Sequence, residues 1–386
     1  MFFFRKALPP KLFLFVVLWL SSTFSSVGQG VQEFYSLSRS PRALGMGNTF
    51  YSVSNDEYAL FYNPAGLARY PQSFQLLIGA KGEPSQSVLA SSSRISDMID
   101  LGSNLEALVQ ELETLRGQTL SGGASFFPHL LFQGFAVGIF ADAKVNTLLR
   151  DVSVGSEVDV TGIVDGGLIV GKSFSAGKQV HFGINTKLLF RGGGRRLFSA
   201  LDIAQNIDPN VDELSGYGAG IDFDLGMIWE MKRPPFGEEM GLGLSINNVL
   251  ATKYPLLTSS SSAKPPQLPR MVSLGSYVVF KGNKTFHDIL VQWDFSEFSL
   301  GGQSNSELGA RKGSVWKHIN FGVEVPVWSW LYLRSGFRQG LVTGGLGFSF
   351  PFMKLDFATY GEELGREVGR FSVRRYVVQL MLGYQG

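Results

Sequence analysis

From residue 73 onward, apolar and polar positions alternate with a period of two, the period of a β-strand. Ile221, Phe223, Leu225, Met227 and Trp229 alternate with Asp222, Asp224, Gly226, Ile228 and Glu230. Ile289, Val291, Trp293 and Phe295 alternate with Asp288, Leu290, Gln292 and Asp294. The same holds for Ile319–Val327 and for Arg375–Tyr384. One face of each segment is apolar and often aromatic; the other is mostly Gly, Asn, Gln or charged. A soluble sandwich turns a face dense in Lys and Glu outward. A polar face rich in Gly and thin in charge suits a crowded or water-filled lumen, with the apolar face towards lipid.

The pattern predicts strands at 73–80, 118–127, 132–147, 157–173, 178–191, 217–231, 239–249, 271–281, 286–296, 317–327, 330–338, 341–350, 353–360 and 371–384. A weaker candidate, 86–92, is largely Ser and small residues, and dropping it leaves the even number that bacterial single-chain barrels have. Every second connection is short: Pro128–Leu131, Phe174–Gly177, Lys232–Glu238, Gly282–Thr285, Trp328–Ser329 and Pro351–Phe352. The others, such as Lys81–Gly117, Leu148–Ser156 and Leu250–Arg270, are mostly long, with a tight exception at Gln339–Gly340. Short turns at one end and long loops at the other are the outer-membrane arrangement. The expected fold is therefore an all-β, antiparallel transmembrane barrel of about 14 strands in the outer membrane. Ser103-Asn104-Leu105-Glu106 fits a capping box, and Leu105, Leu108, Val109, Leu112 and Leu115 follow at helical spacing, which predicts a short helix in the first outer loop.

The N-terminus has a different pattern. Arg5, Lys6 and Lys11 precede the unbroken apolar run Leu12–Leu20, and Ser26-Val27-Gly28 supplies small residues after it. This is the layout of a cleaved export signal, and the run is about half the length that spans a bilayer. The expected organisation is a signal peptide over 1–28, an N-terminal segment over 29–72 and the barrel over 73–386.

Composition narrows the function. The 386 residues hold 34 Lys+Arg against 32 Asp+Glu, which gives no basic footprint for nucleic acid. With no Cys there is no disulfide, thiolate zinc site, iron–sulfur cluster or lipoprotein anchor. Gly166-Gly167-Leu168-Ile169-Val170-Gly171-Lys172-Ser173 matches the phosphate-loop string, but Leu-Ile-Val is strand and no helix follows. His129, His181, His287 and His318 are scattered, without metal or hydrolase spacing. No enzyme, cofactor or metal site is expected.

Residues 31–72 do not look like a strand. Arg42-Ala43-Leu44-Gly45-Met46-Gly47-Asn48-Thr49 leads into Asn55-Asp56 and then Asn63-Pro64-Ala65-Gly66-Leu67. This resembles the N-terminus of FadL-like (FadL/TodX-type) outer-membrane transporters, and more closely the related PorV/PorQ family. Gly345–Phe350, Lys354–Ala358 and Tyr360–Gly365 resemble that group as well. The chain departs from the family pattern in Asn48-Thr49-Phe50, where small residues are usual, and in Ser54-Asn55-Asp56, where an acid pair stands.

The resemblance implies a hatch folded into the lumen, made by Arg42, Gly45, Met46, Gly47, Asn55, Asp56, Asn63, Pro64, Ala65, Gly66 and Leu67. It implies passive passage of a small hydrophobic ligand. The alternative it carries is a PorV-like barrel that docks protein partners of a secretion or surface-attachment system. Asp142, Lys144, Lys187, Asp222, Asp224, Glu230, Asp288, Asp294, Glu324, Arg334, Lys354, Asp356 and Arg375 fall on the predicted lumen face. Facing lipid near the midplane, a basic residue would cost about 2–4 kcal/mol, so most should face in. There they either brace hatch to wall or bind substrate.

The mature chain is expected to begin near Gln29. N-terminal sequencing of the envelope protein should start within a few residues of it, and intact Met1 in the outer membrane would refute the assignment.

Overall fold

Each alternating segment forms one strand and pairs antiparallel with the next. In order these are β1 (Phe74–Gly82), β2 (Thr119–Phe132), β3 (Phe135–Val152), β4 (Gly155–Ala176), β5 (Val180–Ser199), β6 (Gly216–Lys232), β7 (Glu239–Asn247), β8 (Met271–Phe280), β9 (Ile289–Ser299), β10 (Ile319–Trp328), β11 (Leu331–Arg338), β12 (Leu341–Phe350), β13 (Met353–Glu363) and β14 (Ser372–Gln385). Pairing of β1 with β14 closes the barrel. The structure, a computed structural model, describes residues 36–70, 74–93, 114, 117–152, 155–199, 216–232, 234–235, 237–256, 265–282, 287–300, 314–365, 367–369 and 371–385. The predicted signal peptide and nearly all of the predicted helix over 105–115 lie outside them.

Residues 86–92, the candidate set aside, hold no strand; Gln86–Ala90 is a short helix whose N-cap, Ser85, accepts from Val88 N at 3.3 Å. The serines that made a poor strand make a good cap. Pro128 does not open a turn. It sits inside β2, where the pairing with β3 skips Phe127 and Pro128 and resumes in the same register, and the turn falls at Gly134, φ 78°. Only residues 153–154 separate β3 from β4, so the expected loop Leu148–Ser156 is mostly strand.

The faces follow the sequence parity. Leu225, Trp293, Phe321 and Leu380 point outward, 38–46% exposed, while Asp222, Asp224, Asp294 and Arg375 are buried at 3% or less. An apolar belt so exposed is stable only against lipid. At the short-turn end Trp328 stacks on Trp330 at 5.1 Å, and Trp330 on Phe350 at 6.1 Å. Aromatic rings suit a membrane interface. Strands β10–β12 have 8–10 residues, close to the roughly 9–11 that cross a bilayer. β4 has 22 residues and β5 has 20, so the β3–β5 wall rises well beyond the belt.

Two irregularities shape the inside. The β8–β9 register shifts between Val272 and Leu274, and Glu297 takes φ 59°. Ser296 and Glu297 are then both buried while Phe298 returns outward. This is a β-bulge, which re-aims one side chain. β7 also ends at Asn247, short of the outer half of β6. There the following loop takes over the edge, with Leu256 N donating to Ala219 O at 2.9 Å and Val249 N to Phe223 O at 2.9 Å.

Replacing Leu225 by Arg places a cation against lipid and should cost about 2–4 kcal/mol near the midplane, read from the urea midpoint of the refolded barrel. A spin label at Leu225 should be reached by a lipid-soluble quencher, and one at Gly226 should not; equal quenching would mean the face assignment is wrong.

Candidate functional site

Residues 36–70 bond to side chains or backbone of β3, β5–β7, β9, β10 and β12–β14, so they fill the interior. Their course starts with Ser40, which caps the helix α1 (Pro41–Gly45), and Pro41 provides the preset φ of its first turn. Gly47 follows at φ 70°. A Cβ on it would lie 2.3 Å from Phe337 O and 2.4 Å from Phe321 O, so only Gly lets the backbone touch β10 and β11. Gly47 N donates to Thr343 Oγ1 at 2.9 Å, and Thr343 Oγ1 donates to Gly45 O at 3.0 Å.

Asn63 is the second anchor. Its Oδ1 accepts from Ala65 N at 3.1 Å and caps the 3-10 turn Pro64–Arg69. Its Nδ2 donates to Tyr51 O at 2.7 Å and lies 3.3 Å from both Met227 O on β6 and Leu244 O on β7. A Cβ on Gly226 would sit 2.0 Å from Asn63 Oδ1, and one on Gly183 would sit 2.2 Å from Pro64 C. The glycines of the wall are thus a contact surface for backbone. Met46 is buried with Phe50, Tyr51 and Tyr62, Leu67 with Leu60 and Phe127, and Gly66 lies against Ser54.

Towards the short turns, charges meet in a chain. Arg42 grips Glu324 through two bonds of 2.9 and 2.7 Å and donates to Asn55 at 2.8 Å and Asp56 at 3.1 Å. Arg334 donates to Glu324 at 2.7 Å and to Asp356 at 2.5 Å, and Lys354 pairs with Glu57 at 3.0 Å. Arg42, Asn55, Asp56, Glu57, Arg334, Lys354 and Asp356, with Tyr58, Tyr70, Tyr332 and Gln379, line a polar cavity of about 300 Å³. Burial, with Glu57 beside it, pushes the Asp56 carboxyl up to about 6 against the pull of Arg42 and Lys354. Burial would raise Glu57 also, but Lys354 and His129 bring it below its ordinary value.

Towards the long loops a second network forms. Glu362 holds Arg39 at 3.0 Å and Arg375 at 2.8 Å, while Glu83 takes Tyr360 Oη and lies 3.6 Å from Arg375. Glu297, delivered by the bulge, accepts from Asn48 at 3.2 Å and lies 3.7 Å from Arg39. Arg39, Glu83, Glu297 and Glu362 were not singled out from sequence. Glu297 carries no signal there, because a bulge breaks the parity.

The other expected lumen residues are buried or, for Lys144, half-buried, and bonded. Asp294 Oδ2 accepts from Phe50 N at 2.8 Å and Tyr51 N at 3.1 Å. Asp142 takes Lys144 at 3.0 Å, and Lys144 reaches Leu37 O at 2.8 Å. Glu230 pairs with Arg69 of the inserted segment. Lys187 bridges Asp224 and Asn248, each at 2.6 Å. Asp222 accepts from Leu250 N at 2.9 Å and from Thr252 N at 3.1 Å, which ties the β7–β8 loop inward. Asp288 alone departs: it is exposed in the β8–β9 turn and accepts from Gly282 N.

Between segment and wall the two sides differ. The β10–β14 side is ionic. The β2–β5 side is an apolar core of Leu37, Leu60, Leu67, Phe127, Phe140, Ile169 and Leu189, roofed by Tyr254 and Leu268 from the β7–β8 loop.

Solved structures share this architecture. The barrel has the fold of monoaromatic hydrocarbon channels. The toluene transporter TodX of P. putida is 12% identical, with a TM-score of 0.51 over 92% of this chain and 100% of that one. CymD, a monoaromatic hydrocarbon channel, is 11% identical, with a TM-score of 0.50 over 92% and 100%. A TodX deltaS2S3 mutant channel gives 12% and 0.51 over 89% and 97%. At such identity the likeness is one of fold. No family model matches the sequence, and no curated protein matches it.

Glu324→Ala would leave Arg42 and Arg334 facing each other, buried and without their shared acid. The expected cost is about 3–5 kcal/mol, read from the denaturant midpoint. Asp56 gives a pH signature. Its folded pKa of about 6 stands above the unfolded value, so its proton-linked contribution is full below about pH 4 and lost as pH rises through 6. Against Asp56→Asn at each pH, the intact chain should lose relative stability between about pH 4 and pH 7.

Proposed function

We propose that this chain is a FadL-like outer-membrane barrel, exported by a cleaved signal, that lets a small hydrophobic molecule pass without an energy source. Residues 42–67 act in it as the hatch. The observation that carries this reading is the one-sided apolar core: a lumen built only to conduct water would be polar all round, whereas here an apolar seam runs from Tyr254 and Leu268 down to Leu67 and Tyr70. The shared fold with the toluene transporter TodX and the channel CymD agrees with it. The ionic β10–β14 side would brace the hatch while the apolar side guides the solute, and no chemical step is part of the proposal.

The second reading, a PorV-like barrel that docks a protein partner, is favoured by the β3–β5 wall, whose strands of 18–22 residues stand proud of the lipid belt.

Deleting residues 42–67 should raise single-channel conductance in planar bilayers sharply over the intact protein, because the strands alone enclose a polar, Gly-rich lumen. Equal, low conductance would refute the hatch. Mass spectrometry of what co-purifies from membranes separates the readings: a lipid-like molecule supports passage, and a stoichiometric protein supports docking.

A further inference from the structure

The β7–β8 loop carries more backbone strain than any comparable stretch described. Among the described residues seven other than Gly have a positive φ, and Asn248 (55°), Ala251 (50°) and Tyr254 (52°) fall within one loop. Such a left-handed backbone is costly for residues with a Cβ, and clusters of it mark clamps and switches. Here it is held by specific bonds. Asp222 on β6 accepts from Leu250 N, Thr252 N and Thr252 Oγ1, and Asp224 accepts from Asn248 N at 2.9 Å. A Cβ on Gly220 would lie 2.6 Å from Thr252, so β6 is cut away where the loop lies on its lumen face.

What the loop delivers is one ring. Tyr254 is fully buried in the apolar core beside Ile169, Leu189 and Leu268. Arg191, tied to Asp165 by bonds of 2.6 and 2.7 Å, stands 5.6 Å from the ring centroid. Yet Tyr254 Oη has no hydrogen-bond partner among the described residues. A buried tyrosine normally satisfies its hydroxyl, and a position selected for packing alone is served by Phe. The ring fits, the hydroxyl does not, and the backbone is strained to put it there.

We propose that Tyr254 is a stand-in occupant of a ligand slot for a single uncharged aromatic ring, and that Asn248–Leu256 is the lid that withdraws it when such a ligand enters. Withdrawal returns the hydroxyl to water and relaxes the loop, which offsets part of the cost of opening. The apolar walls exclude charged rings. The Arg191 guanidinium favours a π-face over an alkyl ring of equal size. This deepens the passage reading and rests on it for its purpose, though the slot itself stands on the geometry of the loop.

The test uses the whole mature chain in lipid nanodiscs, with fluorobenzene followed by ¹⁹F NMR and fluorocyclohexane as the non-aromatic control. Tyr254→Ala, which vacates the slot, should bind fluorobenzene about ten-fold more tightly than the intact chain, and more tightly than it binds fluorocyclohexane. Tyr254→Phe, which keeps the ring and removes the stranded hydroxyl, should bind no better than the intact chain. In the intact chain, fluorobenzene should speed amide exchange at Leu250, Thr252 and Leu256, and this readout decides the matter if the Ala variant does not fold. Unchanged exchange at saturating fluorobenzene, equal affinity of the Ala variant and the intact chain, or equal affinity for the two ligands would overturn the slot. Uptake into vesicles separates the two readings. Binding without uptake in any variant leaves the slot and removes passage; uptake without the affinity gain removes the slot alone.

Discussion

A closed barrel of fourteen strands is wider than its own side chains can fill. Near eight strands, inward side chains close the interior; beyond that the lumen is water or must be occupied by something else. Here the chain supplies residues 36–70, and that solution imposes a second demand. An inserted segment buries backbone donors and acceptors, and each needs a partner. Asp294 serves Phe50 N and Tyr51 N, Asn185 serves Leu60 O, and Ser245 and Asn247 serve Tyr62 O. Much of the polar lumen face is therefore the hydrogen-bond complement of one segment.

The charges follow the same logic at higher stakes. Buried ions are tolerable when each is paired, and ruinous when one partner is lost. Glu324 is shared by Arg42 and Arg334, and Glu362 by Arg39 and Arg375, so each acid couples the inserted segment to the wall. The two networks lie towards opposite ends of the barrel, the short turns and the long loops. The β2–β5 side holds the segment mainly by apolar packing, with Lys144 on Leu37 O and Asn185 on Leu60 O as directional bonds. Apolar contacts are non-directional and can slide, whereas bidentate ion pairs fix position. The segment is thus pinned along one wall and free of directional bonds along much of the other, and the strained Tyr254 loop roofs that second side.

Strand existence, number and facing were written in the sequence, because alternation is local: a period of two places Leu225 outside and Asp224 inside whatever the partner strands are. Gly47 and Asn63-Pro64 could be read as places of close approach for a similar reason, since a missing Cβ or a fixed φ limits what can sit there. The helix at Gln86–Ala90 and the straight passage of β2 through Pro128 were decided by a cap and by a lapse in the ladder, which composition does not display. Tertiary structure alone brought Arg39 to Glu362 across 323 positions of chain. It also turned Glu297 inward by a bulge that breaks the parity, and folded a loop tyrosine into the core. Those outcomes depend on which strands become neighbours and how a segment threads between them. They are set by closure of the whole barrel, and no window of the sequence contains it.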